Sequence, residues 1–116
     1  MPGFRFLVID DNFFNIQMLW DLILVSMPNA EIIDSLSGET GIKVVKKNLE
    51  TPLARDFDYL FLDINMPMMN GFSTLKKLDW VYAQFKKKWP PAFAVTAQVC
   101  TDLPRVVWQY IHRGHN

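Results

Sequence analysis

Tyr59-Leu60-Phe61-Leu62-Asp63-Ile64-Asn65-Met66-Pro67-Met68-Met69-Asn70-Gly71 decides how this chain is read. Four apolar residues run straight into an aspartate, the pattern of a buried strand that delivers a carboxylate at its C-terminal end. A Pro-containing turn follows. After Gly71 the spacing of Leu75, Leu78, Tyr82 and Phe85 predicts a helix with one apolar face. Its opposite face carries Lys76, Lys77, Lys86, Lys87 and Lys88, read as solvated, and Pro90-Pro91 is expected to stop it.

The pattern repeats upstream. Phe4-Arg5-Phe6-Leu7-Val8-Ile9 is an apolar run halted by Asp10-Asp11, and Asn12 can cap a helix whose face is Ile16, Leu19, Trp20, Ile23 and Leu24. That helix should end before Pro28. Ala30 to Leu36 gives a weaker strand, and Ser37 with Thr40 can start a helix bearing Ile42, Val45 and Leu49. Ala92-Phe93-Ala94-Val95 is a further strand with Thr96 at its end, and residues Asp102 to Ile111 form a plausible last helix. Strands alternating with helices call for crossover connections, hence a doubly wound α/β domain with a parallel sheet covered on both faces.

Composition agrees with one globular domain spanning residues 1–116. Half of the 116 residues are hydrophobic, and twelve Lys plus Arg balance twelve Asp plus Glu. A net charge of zero offers no summed field for nucleic-acid phosphates. The lone Cys100 excludes an internal disulfide and a Cys-based zinc site, and His112 and His115 read as exposed. The apolar run at the start is too short to span a bilayer and lacks the flanks of a signal peptide, so a reducing, cytoplasmic setting is expected. The four tryptophans, Trp20, Trp80, Trp89 and Trp108, read as core or edge residues, and Met66, Met68 and Met69 as packing rather than a soft-metal site.

In doubly wound sheets ligands bind at the carboxyl ends of the strands, where strand order reverses. Asp10, Asp11, Asp63 and Thr96 should converge there. Three crowded carboxylates repel one another unless a cation compensates, and a hard divalent ion, Mg2+, takes carboxylate together with phosphate oxygens. Asp63, centrally placed, can then act as a nucleophile on phosphorus. The Thr96 hydroxyl and the backbone N–H groups of Asn65 and Ala97 would donate to phosphoryl oxygens.

Val8-Ile9-Asp10-Asp11-Asn12 with Asn15, the block from Leu62 to Gly71, and Ala94-Val95-Thr96-Ala97 together resemble the receiver domains of response regulators. The opening Asp-Asp-Asn-x-x-Asn is similar to the receivers of hybrid histidine kinases and phosphorelays. The resemblance implies a flavodoxin-like fold of strand order 2-1-3-4. It implies that Asp63 accepts a phosphoryl group from a histidine kinase or phosphotransfer protein. It further implies that Asp10, Asp11, Asp63 and the Asn65 carbonyl hold Mg2+, and that Thr96 is the switch residue. Such a chain is a signalling phosphoacceptor rather than an enzyme, and partners nucleic acid and membrane not at all.

The chain departs from that pattern at its end. Receiver domains carry a Lys on a fifth strand, and no Lys follows Lys88. Gly114 matches the glycine that ordinarily precedes that strand, so the expectation is a receiver truncated before strand five and helix five. Loss of the Lys should weaken phosphorylation, and loss of the last strand and helix should leave a sheet edge open to self-association. The alternative function is therefore a phosphorylation-independent pseudo-receiver acting as an interaction module. An Asp-nucleophile phosphatase would want an acid where Asn65 stands, and nucleotide hydrolysis a Gly-rich phosphate loop that the sequence lacks.

Overall fold

The computed structural model describes residues 3–63 and 71–95. Their elements alternate as expected: β1 (Arg5–Ile9), α1 (Phe13–Ser26), β2 (Glu31–Ser35), α2 (Gly38–Glu50), β3 (Tyr59–Asp63), α3 (Gly71–Gln84) and β4 (Ala92–Val95). All strand pairings are parallel and the sheet order is β2-β1-β3-β4, the order that the resemblance implied. The helix expected over Asp102 to Ile111 and the sites expected at Asn65, Thr96 and Ala97 lie outside the described residues.

Successive side chains of a strand point to opposite faces of the sheet, and the two cores follow from that alternation. Leu7, Ile9, Leu60 and Leu62 face α2 and α3, packing with Val45, Leu75, Leu78, Val81 and Tyr82. Phe6 and Val8, joined by Ile32, face α1 and meet Ile16 and Ile23. β1 is buried along its whole length, which a strand covered on both faces requires. Full burial of each Leu or Ile contributes about 1.5–3 kcal/mol, so the sheet centre is the main source of stability.

Local chemistry sets the helix starts. The Asn12 carboxamide accepts from the N–H groups of Phe14 (2.9 Å) and Asn15 (3.2 Å), and the Ser37 hydroxyl accepts from Thr40 N–H (3.1 Å). Both caps satisfy amides that have no partner within the helix. Gly41, in the first turn of α2, lies against β1, where a Cβ would run into the Ile9 side chain.

Two expectations need correction here. α3 ends at Gln84, six residues before Pro90, so the prolines do not stop it. Lys86 turns left-handed (φ 53°), Lys86 N–H bonds the Ala83 carbonyl (3.1 Å) and Lys87 N–H the Tyr82 carbonyl (3.0 Å). This is a Schellman closure, in which backbone carbonyls of the last turn find donors within the chain itself. Trp80 is the second correction. It sits 62% exposed on α3 rather than in the core or at an edge, because the buried stripe of that helix is completed by Leu75, Leu78, Val81 and Tyr82.

Arg5, which the apolar reading of β1 passed over, is buried at the N-terminal end of the sheet. Its guanidinium donates to Glu31 (2.9 Å), to Asn48 (3.0 Å) and to the Arg55 carbonyl, and lies 4.6 Å from the centre of the Phe57 ring. Its own N–H donates to the Asp58 carboxylate (2.7 Å). A buried cation is tolerable when its donors are matched in this way, and the matching partners come from β2, α2 and the loop before β3. That loop is thereby held to the sheet.

Candidate functional site

β1 and β3 are adjacent strands whose following helices, α1 and α3, lie on opposite faces. This is the switch point of a doubly wound sheet, where a crevice opens beyond the carboxyl ends of the strands. Asp10 follows β1 directly and Asp63 closes β3, so the strand pairing brings together two carboxylates far apart in sequence. Asp11 is one residue further on. Carboxylate oxygens of Asp10, Asp11 and Asp63 all lie within 4.8 Å of one another. Asp10 and Asp63 are buried, and Asp11 is exposed to solvent.

The turn between β1 and α1 orients the first of these acids. Asp10 N–H continues the sheet ladder to the Ser35 carbonyl of β2 (3.0 Å), and Asn12 N–H donates to Asp10 Oδ1 (2.8 Å). Asn12 therefore serves twice, its backbone fixing the Asp10 carboxyl and its side chain starting α1. An Asp bonded to the amide two residues ahead is an Asx turn, so the Asp-x-Asn spacing carried a signal that the sequence reading used only for the helix cap.

Asp10 Oδ2 is buried without a hydrogen-bond partner among the described residues. Burial pushes the Asp10 carboxyl above the usual carboxylate range, against hydrogen bonding from the Asn12 amide and from the Asn15 and Asp63 side chains, and the charge of Asp11 adds to the push. Asp10 and Asp11 enter no ion pair among the described residues. An orphaned buried oxygen costs about 1–3 kcal/mol, more when charged, unless something from outside supplies the missing interaction. A hard divalent cation fits this donor set: oxygen only, two or three carboxylates, one side open to water. The geometry thus unites the three expected carboxylates. The remaining expected site residues, Asn65, Thr96 and Ala97, lie outside the described residues.

With fold and site in view, similar proteins can be set beside this one. No protein-family model matches the chain. It is 34% identical over 67 residues to stress response regulator protein 1 of Lodderomyces elongisporus, covering 58% of this chain and 17% of that protein. It is 30% identical over 95 residues to hybrid signal transduction histidine kinase L of Dictyostelium discoideum, covering 82% of this chain and 5% of the kinase. The chain thus spans a small fraction of these relatives. In structure it resembles the receiver domain of the histidine kinase CKI1 from Arabidopsis thaliana complexed with Mg2+ and BeF3−. That likeness has a TM-score of 0.73 at 26% identity and covers 91% of this chain and 74% of that one.

Fold, acidic crevice and relatives together liken this chain to the receiver domains of response regulators and hybrid histidine kinases. The resemblance to response-regulator receivers drawn from the sequence holds in sequence and in structure alike. No helix of the described residues is long and apolar enough to cross a membrane.

Proposed function

We propose that this domain is the phosphoacceptor of a two-component or phosphorelay pathway, taking a phosphoryl group on Asp63 from a phosphohistidine in a Mg2+-dependent reaction. The observation that carries the reading is the orphaned, buried Asp10 Oδ2 within a cluster of three carboxylates at the switch point. Asp10, Asp11 and Asp63 would hold Mg2+, together with the Asn65 backbone carbonyl. When bound, the ion offsets the charge of these carboxylates and of the incoming phosphoryl oxygens.

An Asp63 carboxylate oxygen attacks phosphorus in line with the leaving imidazole nitrogen. The new O–P bond makes an aspartyl phosphate while the N–P bond breaks and its electron pair returns to the imidazole. β3 delivers Asp63 at its end, where the side chain is buried beside Asp10 and Asp11. The Thr96 hydroxyl and the N–H groups of Asn65 and Ala97 donate to the phosphoryl oxygens, and Thr96 carries the change to partner surfaces. The domain accepts the group rather than turning over a substrate. The donor is a histidine kinase or a phosphotransfer protein, a reading supported by the kinases among its relatives. The cytoplasm suits this exchange and the lone Cys100.

Intact-mass spectrometry after incubation with acetyl phosphate and Mg2+ tests the reading. A phosphoryl adduct is expected on the unaltered chain, with complete loss on omitting Mg2+ or in Asp63→Asn. No adduct on a folded chain at saturating Mg2+ would refute it.

A further inference from the structure

Away from the acidic crevice, α2 and α3 enclose a groove of about 530 Å³ on the outer surface of the domain. Ile42, Val81 and Trp80 line it with apolar side chains, and Lys46, Lys76 and Lys77 complete the lining. Val81 is buried, Ile42 half-buried, and the three lysines and Trp80 are exposed. Lys76 and Lys77 have no ion-pair partner among the described residues, and Lys46 reaches only Glu50, at 4.0 Å.

We infer that this groove docks an acidic segment of a partner protein, with an apolar side chain seated against Trp80, Ile42 and Val81. Charge decides the sign of the partner. The whole chain is neutral, yet three cations gather here and two of them, Lys76 and Lys77, have no matching acid among the described residues, so a ligand bearing carboxylates is attracted and a basic one repelled. Shape decides its kind. Small-molecule sites enclose most of their ligand, whereas four of the six residues around this groove are exposed. A polypeptide laid between two helices needs no such enclosure. Lysines on flexible stems bind carboxylates as point charges without strict geometry, and an exposed indole beside an apolar floor is the residue type that supplies concentrated binding energy.

Leu75 and Leu78 of α3 pack in the same core as Leu60 and Leu62 of β3, the strand that ends at Asp63. A docked segment would thus sit on a helix already packed to the acceptor strand, although its binding does not depend on phosphoryl chemistry.

The test uses the full chain and a fluorescein-labelled synthetic peptide of Glu and Asp residues around a central Leu-Phe pair, followed by fluorescence polarisation. Saturable binding is expected, weakening as salt rises. Lys76→Glu with Lys77→Glu should weaken it about tenfold, and Trp80→Ala by a comparable factor. All these positions are exposed, and circular dichroism is the check that the variants fold; Lys46→Gln provides an independent milder change expected to weaken binding less. In nitrogen-15 spectra the Trp80 indole signal should shift on addition of peptide. Absence of binding up to about millimolar peptide, a concentration equivalent to roughly −4 kcal/mol, would overturn the inference. Equal binding of a Lys-containing peptide with the same Leu-Phe pair would overturn it too. So would charge-reversal variants that bind as well as the parent, or tighter association with phosphatidylserine vesicles or RNA than with the acidic peptide.

Discussion

The two ends of the parallel sheet handle buried charge in opposite ways. At the N-terminal end, Arg5 is buried among Glu31, Asn48, the Arg55 carbonyl and the Phe57 ring, with its Nε and Nη1 donors matched inside the chain. Arg55 reinforces the arrangement, lying 3.6 Å from Glu31 and donating to the Gly3 carbonyl, while Lys87 pairs with Asp56 across the same end. At the C-terminal end, Asp10, Asp11 and Asp63 crowd together, and Asp10 Oδ2 has no partner among the described residues. The closed end stabilises. The acidic end gives up stability to keep a site ready for what arrives from solvent.

That contrast can be broken most severely at Arg5. Arg5→Ala leaves Asn48 Oδ1 and the Glu31 carboxylate without their Arg5 donor, removes one of the two donors to the Arg55 carbonyl, and should cost about 3 kcal/mol, read as a lower midpoint in urea denaturation. Arg5→Met, which keeps the aliphatic packing over Phe57, should cost clearly less. An Arg5→Ala chain as stable as the parent would mean that the closed end contributes nothing.

A smaller effect of the opposite sign is expected at the acidic end. Asp10→Asn removes a buried charge from beside two other carboxylates, so the metal-free domain should gain about 1 kcal/mol in the same assay. The gain should come with a loss: Mg2+ should raise the melting temperature of the parent and leave that of Asp10→Asn nearly unchanged. If both proteins respond equally to Mg2+, Asp10 is not a ligand and the acidic end is merely strained.

The smallest change is expected back at the closed end, where α3 stops. Lys86 occupies a left-handed conformation that glycine adopts without steric cost, so Lys86→Gly should raise stability by about 0.5 kcal/mol. Loss of stability would show that the Lys86 side chain does something there beyond closing the helix.

Much of this was legible along the chain because the signals are local. An apolar run halted by acids, at Ile9-Asp10 and again at Leu62-Asp63, marks both a buried strand and the end at which its carboxylate emerges. Asn12 and Ser37 mark helix starts because a short polar side chain bonds amides two or three residues ahead. The end of α3 misled for the same reason: prolines are conspicuous, whereas a Schellman closure at Lys86 is a backbone event with no obligatory residue. Trp80 misled because a helix has only one stripe to bury, and which aromatic falls on it depends on how the helix is rotated against the sheet.

By itself, then, the sequence determined the alternation of strands and helices, the parallel sheet and the three aspartates, since period, caps and strand ends are properties of neighbouring residues. Only the tertiary structure decided what those residues meet. It carried Glu31, Asn48 and Arg55 to Arg5, it left one oxygen of Asp10 unpaired beside Asp63, and it brought Lys46 of one helix opposite Lys76 and Lys77 of the next. Each of these depends on strand order and helix packing, and contacts between distant residues are set by how the elements assemble rather than by any local preference.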